Sequence, residues 1–123
     1  MNPVGWFEIY VNDLPRATKF YEDVLQKKLS KLDSPTPGVS MMSFPMERDT
    51  SGATGALAKM DGVKAGGNST IVYFNSNDCA NEESRVVAAG GKVMKPKFSI
   101  GQYGFIMLAF DTEGNLFGVH SMK

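Results

Sequence analysis

The chain has a single cysteine, no long apolar run and no excess of charge of either sign. With only Cys79, an internal disulfide is impossible, and a cytoplasmic location is the default expectation. No apolar stretch approaches the roughly 20 residues that cross a membrane, and Glu8 and Asn12 interrupt the apolar core that a signal peptide needs. Because 13 basic residues balance 13 acidic ones and no basic stripe is visible, nucleic acid is not an expected partner, and without an apolar span a membrane is not one either.

Motifs of several common enzyme classes are also missing. The sequence has no phosphate-binding loop, no G-x-S-x-G nucleophile elbow and no dinucleotide fingerprint. One cysteine cannot form a thiolate zinc site, and Cys79, next to a predicted helix start, is either a reactive thiol or an ordinary small residue. What is left is a chain of 123 residues with ordinary globular composition, long enough for one compact domain.

A strand followed by a helix start occurs twice in the sequence. Residues 6–11 are rich in aromatic and β-branched side chains, which predicts a strand, and Asp13 then caps a helix predicted over residues 14–25. The same order returns with a strand over residues 71–75 and a cap at Asp78. Each half continues with three further predicted strands, so each half is expected to be a βαβββ module.

Two short matches support an internal duplication. The Asn-Asp pair at 12–13 returns 65 positions later at 77–78, and Asp-Thr-x-Gly at 49–52 returns 62 positions later at 111–114. Agreement in order, spacing and element type favours duplication over chance.

The duplication predicts an α+β fold made of two tandem βαβββ modules within one compact domain. The first module is expected over residues 1–61, a Gly-rich linker over 62–68 and the second module over 69–123. Each module leaves one sheet face without a helix. We therefore expect the bare faces to form a half-open curved sheet around a central cavity.

Side-chain alternation assigns the strand residues to two faces. Phe7, Ile9 and Val11 form an apolar row that suits the helix side. The opposite faces are expected to line the cavity with Trp6, Glu8, Tyr10, Ile71, Tyr73 and Asn75. Arg48, on a loop beside the cavity mouth, is either a contact for an anionic ligand or a solvated side chain.

Three segments of the sequence resemble a known superfamily. They are residues 7–21, the helix exit at 90–93 and residues 111–115 before the last strand. On these segments nearly the whole chain is similar to the vicinal oxygen chelate superfamily, which contains glyoxalase I, bleomycin-resistance proteins and extradiol dioxygenases. The opening Trp6-Phe7-Glu8 resembles a bacterial glyoxalase-like subgroup whose members mostly lack an assigned reaction. The resemblance implies the fold, and function has to be argued from the site.

Active members of that superfamily typically hold one divalent metal through two pairs of His, Glu or Gln side chains. The resemblance places these four positions at Trp6, Ala56, Ile71 and Gly118. None of these side chains binds a hard or borderline cation, so no cofactor is expected. A divalent metal remains as the disfavoured alternative, held weakly by Glu8 and His120, which lie two positions away on the same faces.

Glu8 and His120 are the candidate catalytic residues. Glu8 is either a general base or ligand anchor with a raised pKa, or a structural carboxylate bonded to Tyr73, Tyr10 or a backbone group. His120, the only histidine, is either an acid/base or ligand, or a solvated residue near the end of the chain. Trp6 and the two tyrosines either stack on a planar ligand or fill the core.

Three functions are compatible with these features. The preferred one is a metal-independent homodimer that binds a small, partly apolar ligand in the cavity. The second is a metal-dependent lyase or isomerase that resembles glyoxalase I or an epimerase. The third is a degenerate module that binds another protein.

Overall fold

The chain forms two compact units, each with one helix and a set of strands. The computed structural model describes residues 2–34, 36–67 and 69–123. The first unit comprises Trp6–Thr70, and the second comprises Ile71–Lys123 together with residues 2–5. The α+β class and the βαβββ order of each half are confirmed. The predicted module boundaries stay a prediction, and Met1, Pro35 and Asn68 lie outside the described residues.

The first unit is built from five elements. They are β1 (Val4–Tyr10, whose first two residues belong to the second unit), α1 (Leu14–Leu25), β2 (Ser30–Leu32), β3 (Val39–Ser43) and β4 (Thr54–Met60). The strands of this unit are ordered β2-β3-β4-β1, with β1 parallel to β4 and the other pairs antiparallel.

Helix α1 begins and ends where the local signals predict. The Asp13 carboxylate accepts a hydrogen bond from the backbone N–H of Arg16 at 2.9 Å, and Pro15 fits the first turn because its missing N–H is not needed there. After Leu25, the residue Gln26 adopts a left-handed φ of 53°, which ends the helix.

The helix packs on one face of the first unit's sheet. The buried residues of this cluster and the side chains packed against them are Val11, Leu29, Phe44 and Leu57, with Phe7, Ile9, Leu14, Ala17, Tyr21 and Met42. The predicted apolar row of Phe7, Ile9 and Val11 is therefore confirmed as the helix side. By alternation, Trp6, Glu8 and Tyr10 lie on the face away from the helix.

The second unit repeats the arrangement. Its elements are β5 (Thr70–Asn75), α2 (Cys79–Val86), β6 (Lys92–Ser99), β7 (Phe105–Phe110) and β8 (Leu116–Ser121), with a 3₁₀ turn at Gly101–Tyr103. The strands are ordered β5-β8-β7-β6, with β5 parallel to β8. Cys79, the first residue of α2, is fully buried in the core of this unit, and its backbone N–H donates to the hydroxyl of Ser121 at 2.9 Å. Neither helix of the described chain is long and apolar enough to span a membrane.

Strand β6 is longer than the sequence predicts. The sequence predicts a short strand over 92–94 and a loop through Pro96, but the strand runs over Lys92–Ser99. Its pairing with β7 shifts register between Val93 and Lys95 and again between Lys95 and Phe98. Because such bulges leave residues outside the ladder, the strand accommodates a proline that has no N–H to donate.

The strand registers of the two units agree with the duplication. Glu8 lies opposite Ala56 in the parallel β1–β4 pair, and Tyr73 lies opposite Gly118 in the parallel β5–β8 pair. Glu8 and Tyr73 are 65 positions apart, and Ala56 and Gly118 are 62 positions apart. These are the two offsets of the sequence repeat, so the parallel strand pair of each half has the same register.

Candidate functional site

Glu8 is held by its two neighbours on the same face of β1. The indole N–H of Trp6 donates to Oε2 of Glu8 at 3.1 Å, and the hydroxyl of Tyr10 donates to Oε1 at 3.0 Å. Residues 6, 8 and 10 meet because every second side chain of a strand points to the same face. Glu8 is only 9% exposed. We refer to Trp6, Glu8 and Tyr10 as the Glu8 cluster.

The Glu8 cluster is poorly solvated. Burial, followed by the negative charge of Glu8 and the hydrogen bond to it, raises the pKa of Tyr10 well above its ordinary value of 10.0. Tyr10 is therefore protonated at neutral pH and acts as the donor to Glu8. One of the predicted structural partners of Glu8, Tyr10, is confirmed as a contact, and the Trp6 N–H is a partner that the sequence reasoning missed.

The face around Glu8 is otherwise small and apolar. Ala56 lies opposite Glu8 and Ala58 lies opposite Tyr10, and both alanines are fully buried. The apolar cluster on this face consists of Met41, Ala56 and Ala58, with Trp6, Tyr10, Leu32 and Val39 packed against it. The carboxylate of Glu8 thus lies on a largely apolar sheet face in the first unit.

Ser43 is a polar neighbour of this face that the sequence analysis did not single out. It pairs with Ala56 on the side away from Glu8 and is 5% exposed. Its hydroxyl donates to the backbone carbonyl of Ser30 at 3.4 Å. Alternation along β3, which places residues 41 and 43 on one face, was the signal that could have found it.

In the second unit, Tyr73 is buried against the last strand. Tyr73 is 6% exposed, and an added Cβ at Gly118 would lie 2.3 Å from Cδ1 of its ring. Asn75, two residues after Tyr73 on β5, lies opposite His120 and is exposed. Gly5 makes room for Asn75, because a Cβ there would lie 2.2 Å from Oδ1 of that side chain.

His120 is partly buried on β8. Its Nε2 lies 2.5 Å from the backbone carbonyl oxygen of Tyr103. A carbonyl only accepts hydrogen bonds, so Nε2 is the donor in this contact. Arg48 is exposed on the loop between β3 and β4. The catalytic roles of Glu8 and His120, the ligand-binding role of Arg48 and the cavity between the modules stay predictions.

The four positions that the resemblance assigns to metal ligands do not fit a metal. Tryptophan, alanine, isoleucine and glycine provide no side-chain ligand of the kind that divalent metals use. Within residues 2–34, 36–67 and 69–123, no group of three or more His, Cys, Asp or Glu could hold a metal ion. We therefore derive no chemical step through a metal.

Comparison with known sequences identifies the family. A family model described as the Glyoxalase/Bleomycin resistance protein/Dioxygenase superfamily matches residues 4–119. A "Glyoxylase-like domain-containing protein" from Didymella fabae is 29% identical over 114 residues, which cover 91% of this chain and 88% of that protein.

Solved structures with low sequence identity share the fold. Methylmalonyl-CoA epimerase from Mycobacterium tuberculosis is similar with a TM-score of 0.72 and 16% identity, covering 98% of this chain and 88% of that chain. A variant of Streptomyces coelicolor methylmalonyl-CoA epimerase, in complex with 2-nitronate-propionyl-CoA, has a TM-score of 0.69 and 15% identity, covering 98% and 97%. The matched fold and the family model together show that the chain belongs to the glyoxalase/bleomycin resistance protein/dioxygenase superfamily.

Proposed function

We propose that the protein binds a small, partly apolar organic molecule without a metal, and that Glu8 is the main polar contact of this ligand. The observation that carries the proposal is a buried carboxylate on an apolar sheet face, held at both oxygens by Trp6 and Tyr10. A carboxylate accepts up to about four hydrogen bonds. A ligand hydroxyl or amine would hydrogen-bond to Glu8 alongside the contacts that this carboxylate already makes within the protein.

The same cluster supports the apolar part of the ligand. Trp6 and Tyr10 are partly exposed, so their ring faces are available to a planar group. Both rings are held by their hydrogen bonds to Glu8, and little side-chain freedom is lost when a ligand binds between them. Rigid aromatic walls around one oriented acceptor are typical of small-molecule sites.

The test combines metal analysis with a ligand screen. Protein purified without chelator would be analysed for divalent metals, and nickel, zinc, manganese and iron would be titrated against the melting temperature. Small apolar alcohols, amines and aromatic compounds would then be screened by thermal shift. We expect no stoichiometric metal, and a ligand-induced shift that Glu8→Gln removes and the exposed control Glu47→Gln retains. A metal-induced shift that Glu8→Gln abolishes would contradict the proposal.

A second candidate is a proton-transfer isomerase. An oriented, buried carboxylate is suited to act as a general base, and two similar folds belong to methylmalonyl-CoA epimerases. The side chains at the four metal-ligand positions argue against metal stabilisation of an enolate in this chain. Deuterium exchange into methylmalonyl-CoA in D₂O tests it. Exchange that depends on Glu8 would favour the isomerase over the binding protein.

A further inference from the structure

The first unit has a groove beside its β2–β3 hairpin. It is a groove of about 290 Å³ at the ends of β2 and β3, next to the start of α1. Its apolar lining is formed by Leu14, Leu32, Val39, Met41 and Met42. Trp6, Glu8 and Tyr10 do not line it. We refer to it as the β2–β3 groove.

Unequal strand lengths explain why the groove forms. Strand β2 has three residues and β3 has five, and their pairing ends at Leu32 opposite Met41. Val39 and Ser40 pair with β4 on their other side, but they have no partner in β2. The groove therefore includes the part of β3 that the shorter strand leaves uncovered, together with the last two pairs of the β2–β3 ladder.

The size and lining of the groove restrict its ligand. A volume of about 290 Å³ is at the small end of the range of about 300–1,000 Å³ that is usual for ligand pockets. Such a volume suits a molecule of amino-acid size rather than a large cofactor. Met42, which packs on the helix side of the sheet in the same cluster as Leu14, supplies a flexible thioether side chain, which adapts to apolar groups of different shape.

The rim of the groove carries one cation and one anion. Lys31 and Asp33 both line the groove and are both exposed. Neither side chain forms a hydrogen bond or an ion pair with any of the described residues. Each charge can therefore turn toward a ligand without giving up a hydrogen bond or an ion pair to a described residue.

We propose that the β2–β3 groove binds a zwitterionic amino acid with an apolar side chain. The ligand carboxylate would meet the ammonium of Lys31, its ammonium would meet the carboxylate of Asp33, and its side chain would contact Leu14 and Met42. A ligand with one charge would face one like charge on the rim, whereas a zwitterion matches both. Since both rim residues are exposed, the binding should be weak and salt-dependent. This site goes beyond the function proposed for Glu8 and does not depend on it.

The test is an NMR titration of the ¹⁵N-labelled full chain with four probes. L-Phenylalanine carries both charges and an apolar group, N-acetyl-L-phenylalanine lacks the cation, L-phenylalaninamide lacks the carboxylate, and glycine lacks the apolar group. We expect saturable shift changes at residues of the groove with L-phenylalanine, and weaker binding of the other three. Added salt should weaken the binding of L-phenylalanine.

Four substitutions test whether the ligand binds in the groove and whether the two rim charges contribute to its affinity. Lys31→Gln and Asp33→Asn should each lower the affinity by about two- to fivefold, the range expected for an exposed ion pair, while the exposed control Lys64→Gln should not. Ser40→Phe, at an exposed position in the groove, should abolish binding by filling it. The proposal is overturned if groove residues do not shift, if the singly charged probes bind as well as L-phenylalanine, or if Ser40→Phe binds normally.

Discussion

The ring of Tyr73 lies directly against Gly118 on the neighbouring parallel strand, and this contact leaves no room for a side chain at position 118. A Cβ there would lie 2.3 Å from Cδ1 and 2.4 Å from Cε1 of the ring. The superfamily resemblance places a metal ligand at the same position. A ligating side chain at 118 and the present position of the Tyr73 ring therefore exclude each other.

Gly118→Ala should destabilise the protein by about 1–3 kcal/mol, because an added methyl group overpacks a filled core. Denaturant unfolding would measure the change. A double-mutant cycle with Tyr73→Val gives the control, since Gly118→Ala should cost less once the ring is gone. An equal cost in both backgrounds would show that the Tyr73 contact is not the cause.

Glu8→Gln should lower the free energy of unfolding by about 1–3 kcal/mol. Trp6 and Tyr10 both donate to Glu8, but a glutamine amide offers one acceptor oxygen and one donor nitrogen. One aromatic donor would then face another donor in a buried place. The matched variant Glu47→Gln, at an exposed position, should stay within about 0.5 kcal/mol of wild type. Equal stability of the two variants would contradict the structural role of the cluster.

Stability should fall at alkaline pH because of Tyr10. Its pKa is raised in the folded protein, so above pH 10.0, the ordinary value, the unfolded chain loses this proton while the folded chain keeps it. The stabilisation that protonated Tyr10 provides is fully present below the pKa of this tyrosine in the unfolded chain. It is lost as the pH rises toward the higher pKa of Tyr10 in the folded protein. Tyr10→Phe should flatten this decline, and the exposed control Tyr103→Phe should not. Unfolding free energies measured across the alkaline range would decide.

At acidic pH, the protein should lose stability as Asp78 becomes protonated, because Lys97 stabilises the charged form of this carboxylate in the folded protein. The hydrogen bond from Lys97, at 2.8 Å, and that from the backbone N–H of Ala80 lower the pKa of Asp78 below its ordinary 3.8. The stabilisation that Asp78 provides is present above its pKa in the unfolded chain. It is lost as the pH falls through the lower pKa that Asp78 has in the folded protein. Lys97→Met should make the acid-side loss shallower. Lys92→Met, an exposed control on the same strand, should leave the curve unchanged.

Local signals were sufficient to predict the helix and the strand faces of the first unit. The Asp13 cap, the proline in the first turn and the apolar spacing all act over a few residues, so α1 was predicted with the observed bounds. Period-two alternation likewise placed Phe7 and Glu8 on opposite faces. Strand β6 was underestimated because its extension past Pro96 depends on bulged pairing with β7, a partner that the local sequence does not identify.

The candidate site was predictable only in part. Glu8 and Tyr10 stand two positions apart on a strand, so their contact could be proposed from alternation alone. The burial of Tyr73 against Gly118 depends on the register between strands more than 40 residues apart in sequence. The β2–β3 groove depends on a difference in strand length that no residue pattern indicates. Contacts set by pairing between distant segments were therefore missed.

The chain contains one tryptophan and one cysteine, and the two lie in different units. Trp6 donates to Glu8 in the first unit, so its fluorescence is a reporter of that environment. Cys79 is fully buried in the second unit, so its thiol is shielded from labelling reagents until that core opens. The unmodified chain thus carries an optical reporter in one half and a chemical reporter in the other, and the loss of structure in each duplicated half can be followed separately.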